Sequence, residues 1–218
     1  MHRLPWKRVL RVARLTSLLF FGFLLAGNLV ILTLHGVASA SVGVEQVDGI
    51  DGVGKIRRVD DRLWAGANPS REGLESLAAA GVTTIVDLRA EHDAHEDDAF
   101  IDALQMRVVH IPVRDGQIPG RDEIAEFVDI VEQAPGTVFV HCGAGVGRTG
   151  SMAAAYLVTC GKTDATTALG VALAVGPPSL EQVVFIRSLD GGDRPPAVVV
   201  GVSRVLDAPR RIWSGLRS

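Results

Sequence analysis

Cysteine is scarce in this 218-residue chain. Only Cys142 and Cys160 occur, so neither a disulfide framework nor a four-cysteine zinc site can be built. Any part cysteine plays is local chemistry. Long low-complexity tracts and internal repeats are absent, and charged residues make up 22% against 47% hydrophobic ones. That balance excludes wholesale disorder and collagen-like or repeat architectures, and the length suits one ordinary domain plus an appendage. Acidic residues are missing from the first fourteen positions, where Arg3, Lys7, Arg8, Arg11 and Arg14 stand unopposed. The middle is the reverse: residues 41–193 carry 12 basic and 24 acidic side chains, a field that repels a phosphate backbone and argues against nucleic acid as a partner. From Arg194 onward five arginines face one aspartate.

Residues 15–34 contain no charge at all. A helix of that length, at about 1.5 Å per residue, matches a hydrocarbon core of about 30 Å. Residues 1–40 therefore read as a basic start plus a membrane anchor. Ala38-Ser39-Ala40 also fits a signal-peptide cleavage point, which would leave a secreted product. The basic residues ahead of the segment predict a cytoplasmic N-terminus and an exported domain. Residues 41–55, with Asp48-Gly49 and Asp51-Gly52, read as a linker.

Beyond the linker, β-rich apolar runs at 63–65, 83–88, 107–113 and 137–141 alternate with helical spacing at 70–80, 121–134, 149–160 and 178–189. This is an α/β pattern, a central twisted sheet flanked by helices, with the domain running over residues 56–190. Ser70 is placed to cap one helix and Gly81 to end it. Gly191-Gly192 and Pro195-Pro196 punctuate the chain beyond the domain, so residues 191–218 read as a basic, loosely packed solvated tail, with a bilayer-surface segment as the rival reading.

The richest stretch, residues 137–150, is a buried-strand run that enters a glycine-rich turn and then a helix. Gly143, Ala144, Gly145, Val146 and Gly147 can turn successive N–H groups inward and cradle a tetrahedral dianion, helped by the positive end of the helix near Arg148. Cys142 at the base of that nest gains stabilisation for its thiolate, with a pKa expected to fall from ~8.5 into the ~3.5–7.5 range. Arg148 offers a planar fork to phosphate oxygens that lysine would not replace. Thr149 can donate its hydroxyl to the sulfur.

His141, Cys142, five intervening residues, Arg148 and Thr149 resemble the signature of the cysteine-dependent protein tyrosine and dual-specificity phosphatases. Gly143 stands where a serine is common. The resemblance implies a phosphatase-like domain, a phosphocysteine intermediate, and a loop-orienting role for His141. Phosphoryl transfer also needs a general acid on a separate loop. Asp115, directly after a predicted strand and 27 positions before Cys142, fits that demand and the family's placement of its acid. The Trp-Pro-Asp form of tyrosine-specific members is missing, with Arg114 in place of the proline, so the small dual-specificity members are the nearer pattern. Asp87 in Val86-Asp87-Leu88-Arg89 is the rival acid and reads more simply as structural. Gln182 sits where larger members carry a glutamine that positions water; an exposed helix glutamine is the plain alternative.

Other readings compete. Residues 145–150 fit G-x-G-x-x-G with Asp164 downstream, a dinucleotide-binding fingerprint, but little β-α alternation comes after it to complete such a sheet. A catalytically dead phosphate-binding module would be expected to lack Cys142, Arg148 or Asp115, and all three are present. The run from Glu91 to Asp98, with His92 and His95, reads as a solvated acidic loop or helix start rather than a metal site. Twelve residues of helix, about 18 Å, separate Arg148 from Cys160 and rule out a disulfide with Cys142. No metal and no cofactor are expected for the chemistry. The expected substrates are phosphotyrosine or mixed phosphoserine and phosphothreonine proteins, since the loop has no lysine. A phospholipid phosphomonoester is the alternative favoured by a membrane anchor. Nothing in the residues sets an oligomeric state.

Overall fold

The computed structural model describes residues 6–91, 95 and 97–215. A helix, α1 (Trp6–Ser41), opens the chain. After it come β1 (Arg57–Arg58), β2 (Leu63–Gly66), α2 (Arg71–Ala79), β3 (Val82–Arg89), α3 (Asp98–Ala103), β4 (Arg107–Val113), α4 (Arg121–Gln133) and β5 (Thr137–His141). Four helices close it: α5 (Gly147–Thr159), α6 (Ala165–Val175), α7 (Leu180–Arg187) and α8 (Ala197–Gly215). The five strands form one sheet in the order β1-β2-β5-β3-β4, with only β1 antiparallel. Parallel strands place their carboxyl ends on one edge. The chain leaves that edge towards Ala67, Glu91, Asp115 and Cys142.

Period-two alternation sorts the strand residues onto two layers. Val86, Leu88, Val138 and Val140 pack with Phe127 and Val131 of α4 and Met152 and Tyr156 of α5. Ile85 and Phe139 face the other way, onto Leu74 and Leu77 of α2 and Ile101 of α3. Ser70 caps α2 by accepting from the Gly73 N–H at 3.2 Å, and Gly81 ends it at φ +87°.

Three features depart from the sequence expectation. α6 carries no polar face, because it lies between α5 and the end of α1, where Ala38 joins Ala155, Ala168 and Leu173 in one cluster; its amphipathic signal is erased for that reason. Within the stretch read as a tail, residues 197–215 form the helix α8, which is anchored where the buried Ser203 hydroxyl accepts from the Glu181 N–H at 3.0 Å, while most of its other described residues are exposed or half-buried. Leu216 and Arg217 lie outside the described residues. Beyond Ser41, where α1 ends, residues 42–55 add no helix and only an isolated bridge from Gln46 to Arg57, yet Val53 is buried against Trp64 and Leu74, so this stretch is partly packed rather than free.

α1 runs for 36 residues, and its stretch Arg8–Ser41 has a mean hydropathy of 2.2 in its most apolar window. It is long and apolar enough to cross a membrane or to serve as a signal sequence. Its end docks on the domain: His35 Nδ1 lies 2.6 Å from the Leu173 carbonyl oxygen.

Candidate active site

The loop after β5 is held from behind. The Cys142 carbonyl accepts from His141 Nδ1 at 3.2 Å, the Gly143 carbonyl from the Asn68 N–H at 3.0 Å, and the Gly145 carbonyl from Arg57 Nη1 at 3.2 Å. The Val146 carbonyl accepts from the Gly150 N–H at 2.8 Å, inside α5. With these carbonyls committed outward or into the helix, the amide edge of the loop is left for an anion. Gly145 has φ +70°, and a Cβ there would lie 2.5 Å from the Ala67 nitrogen. No other residue fits.

An open cavity of about 270 Å³ is lined by Cys142, Ala144, Val146, Gly147, Arg148, Asp115 and Gln182, joined by Lys55, Gly116 and Pro177. The candidate nucleophile, arginine and acid therefore meet in one place although they come from different strand ends. Cys142 and Arg148 are buried, whereas the Asp115 side chain is half-exposed at 47%. Gly143 and Gly145 do not line the cavity. His141 lies behind the loop, stacked on Phe139 at 5.8 Å, and burial drives its pKa down to about 4 against the partial support of Asp87. Its imidazole is thus neutral, and the contact with the Cys142 carbonyl fixes the proton on Nδ1. Thr149 is buried, and its hydroxyl has no partner among the described residues. Cys142 and Cys160 are both free thiols; burial and Glu132 push the Cys160 thiol up.

Gln182 is buried rather than exposed. Its Oε1 accepts from the Ser179 N–H at 2.9 Å and its Nε2 donates to the Gln117 carbonyl at 3.0 Å. The Ser179 hydroxyl donates to the Gly116 carbonyl at 2.9 Å, so the start of α7 clasps the Asp115 loop at two points. Asp87, the rival acid, lies outside this cavity. It is buried and held by Arg89 through Nε and Nη2 at 2.9 and 2.8 Å.

Three residues escape a sequence reading. Glu91 grips the end of Arg148, its two oxygens each 2.8 Å from Nη1 and Nη2. The fork expected to bind phosphate is therefore already taken, and the edge left for a ligand is Nε, buried without a hydrogen bond among the described residues and 3.7 Å from Asp115 Oδ1. Burial raises the Glu91 carboxyl, but the bonds and charge of Arg148 outweigh it and hold the group below the usual range. Arg57 is buried under the loop; desolvation pushes its pKa down to about 10, opposed by attraction to Cys142. Arg148 also interacts electrostatically with Cys142. Lys55 adopts φ +53° at the cavity wall, where its own carbonyl accepts from Arg57 at 3.3 Å.

The dinucleotide reading gains no support from this geometry. No strand comes after β5 among the described residues, and Asp164 caps α6 by accepting from the Thr166 and Thr167 N–H groups at 2.9 Å.

Fold and site together define a phosphatase domain of the tyrosine and dual-specificity type. The chain belongs to the family described as DSP-PTPase phosphatase fused to NAD+ kinase, whose model matches residues 43–188. It is 36% identical over 98 residues to the probable chloroplastic NAD kinase 2 of Oryza sativa subsp. japonica, covering 41% of this chain and 10% of that protein. It is 31% identical over 100 residues to human dual specificity protein phosphatase 2, covering 44% and 30%. The chain thus spans only a minor part of these relatives. Among solved structures, P. aeruginosa TpbA in complex with pTyr superposes with a TM-score of 0.55 at 22% identity, covering 76% of this chain and 97% of that one. PTPMT1 in complex with PI(5)P gives 0.55 at 16% identity, covering 62% and 93%. These likenesses establish the shared fold.

Proposed function

We propose that this protein is a membrane-tethered phosphomonoester hydrolase that works through a phosphocysteine intermediate. The supporting observation is the meeting of Cys142, Arg148 and Asp115 at one cavity on the carboxyl edge of the sheet. The Cys142 thiolate attacks phosphorus, forming an S–P bond as the ester P–O bond breaks, and Asp115 delivers its proton to the leaving oxygen. Water then attacks the phosphocysteine while Asp115 takes back a proton, and the electron pair returns to sulfur. Thr149 donates to that sulfur, Gln182 orients the water, and the loop amides with Arg148 Nε hold the equatorial oxygens. Each atom is balanced without a metal or cofactor.

Phosphotyrosine and mixed phosphoprotein substrates lead, in keeping with the family and with the pTyr-bound TpbA structure. A phospholipid phosphomonoester is the second reading, favoured by Lys55 at the cavity wall, which supplies a lysine that the loop itself lacks, and by the PI(5)P-bound PTPMT1 structure. α1 is read as an uncleaved anchor with a cytoplasmic N-terminus and an exported domain. In support, Ala38, at the would-be cleavage point, is helical and packed on α5 and α6; the mass of the mature N-terminus tests this.

The decisive experiment is hydrolysis of a small aryl phosphate by the full-length chain in detergent, under reductant and without added metal. Turnover by the wild type and none by Cys142→Ser is the expected result; an inert wild type, or activity in Cys142→Ser, overturns the proposal. A phosphotyrosyl peptide against phosphoinositide vesicles, each with Lys55→Ala, then separates the substrates. A lipid substrate requires the variant to lose activity on vesicles alone.

A further inference from the structure

Away from the catalytic cavity, on the other side of His141, the structure assembles a second cluster of chemistry-bearing groups. His95 stands just before α3, Asp98 opens α3, and His110 comes from the edge strand β4. His95 Nδ1 is 2.9 Å from Asp98 Oδ2, and His110 Nε2 is 3.0 and 3.1 Å from the two Asp98 oxygens. One ligand atom from each residue lies within 4.8 Å of the others, and the two imidazole rings are 3.9 Å apart at 50°. We infer that His95, Asp98 and His110 form a binding site for a divalent transition-metal ion of the zinc type.

The donor set selects the ion class. Two imidazole nitrogens and one carboxylate suit zinc and its neighbours, whereas magnesium and calcium prefer all-oxygen shells. Three protein ligands leave a fourth position for water. Small shifts from the present spacing would open the cluster to metal–ligand lengths of about 2.0–2.2 Å.

An independent observation lies behind the cluster. His110 Nδ1 is buried with no hydrogen bond among the described residues and faces Asp87 Oδ2 at 4.0 Å. If a neutral His110 directs its proton to Asp98 through Nε2, Nδ1 turns a lone pair towards a carboxylate. A metal on Nε2 places the ring proton on Nδ1, from which, with a small approach, it can donate to Asp87, the carboxylate–histidine–metal arrangement that orients ligating imidazoles. Asp87 is itself fixed by Arg89, and its other oxygen lies 3.9 Å from His141 Nδ1. The buried Asp87 thus acquires a purpose that its position outside the catalytic cavity had left open.

Such an ion would staple His95 and the start of α3, a few residues beyond the Glu91 that grips Arg148, onto β4. The role is structural support rather than participation in phosphoryl transfer, and it stands whether or not the chain is a phosphatase.

The test is Co²⁺ titration of the full-length Cys142→Ser chain in detergent, a background that removes the site thiol as a ligand. Expected are saturation at one ion per chain, visible d–d absorption of a nitrogen- and oxygen-ligated ion without a thiolate charge-transfer band, and displacement by Zn²⁺. His95→Ala, at an exposed position, and His110→Gln should each abolish that spectrum. Asp87→Asn should weaken binding by about 10–100-fold. Circular dichroism melts establish that the variants fold; Zn²⁺ should raise the melting temperature of the parent but not of His95→Ala. No stoichiometric Co²⁺ binding, or equal binding by His95→Ala, overturns the inference and leaves a hydrogen-bonded or protonated histidine–aspartate triad only.

Discussion

The two loops that meet in one cavity, at 142–148 and around Asp115, are built on opposite plans. In the loop at 142–148 Cys142, Gly145, Val146 and Arg148 are buried, Gly143 and Ala144 are exposed, and the backbone is fixed from behind by His141, Asn68 and Arg57, so its conformation is settled before any ligand arrives. The loop around Asp115 leaves that side chain half in solvent, near Arg148 Nε, and is clasped at its flank by Ser179, Gln182 and Arg194. The contrast fits the tasks assigned to them. An anion cradle works by preorganisation, which a rigid nest provides. A proton donor that later becomes a base must admit water and release product.

The comparison can be broken at its strongest point first. Asp115→Asn should lower kcat by about 10²–10⁴-fold on an ester with a poor leaving group while leaving the melting temperature within a few degrees. An unchanged kcat would move the acid elsewhere. Next comes His141. Unfolded, its imidazole takes a proton near pH 6.5, but in the fold only near about 4. The unfolded state therefore binds more protons in between, and stability should be full above pH 6.5 and decline by about 3 kcal/mol as the pH falls to 4. Urea titrations across that range should show the slope, and His141→Asn should flatten it. Gly145→Ala combines φ +70° with a clash on the Ala67 nitrogen and should cost at least about 2 kcal/mol by denaturant midpoint, with loss of phosphate binding.

Smaller effects belong to the softer loop. Ser179→Ala removes the α7 cap and the bond to the Gly116 carbonyl and should cost about 1 kcal/mol. If the clasp matters, kcat should fall more than KM rises. Gly143→Ser is the control within the rigid loop: a Cβ there meets nothing closer than Arg148 Nη2 at 3.9 Å. It should change stability by less than about 0.5 kcal/mol by the same denaturant assay, although its neighbour two positions on tolerates nothing.

Legibility in the sequence divides along the same line. The strand, turn and helix at 141–149 were legible because they form one continuous stretch whose spacing is the signal. That Asp115 stands at the same cavity was legible because a strand end points to it. Glu91 and Arg57 were not, because their partners lie 57 and 88 positions away in the chain and nothing local marks a carboxylate or guanidinium that folds back onto a loop. The strands β3 to β5 announced themselves by β-branched runs, whereas β2, Leu63–Gly66, has no β-branched residue and was marked only by its short apolar run. β1, two residues long, offers no pattern, and α8 was masked by the Gly-Gly and Pro-Pro punctuation ahead of it. The acidic run at 91–98 was legible in part: Asp98 does open a helix, while His92, Asp93, Ala94 and Glu96 lie outside the described residues.

Arg57 also bears on where the smallest working unit begins. Its guanidinium spans the Lys55 and Gly145 carbonyls, while the Gly52 carbonyl accepts from the Ser70 N–H at 2.9 Å and the Gly54 carbonyl from the Ala67 N–H at 2.8 Å. A fragment trimmed to Ile56 would keep the whole signature and Arg57 itself, yet lose the Lys55 carbonyl that Arg57 spans and the Gly52 and Gly54 carbonyls that hold Ser70 and Ala67. Residues 43–55 are in mechanical terms a backing strip that pins the backbone at Ala67 and Ser70 and reaches the candidate cavity through Lys55, and anyone preparing a soluble fragment should cut ahead of them.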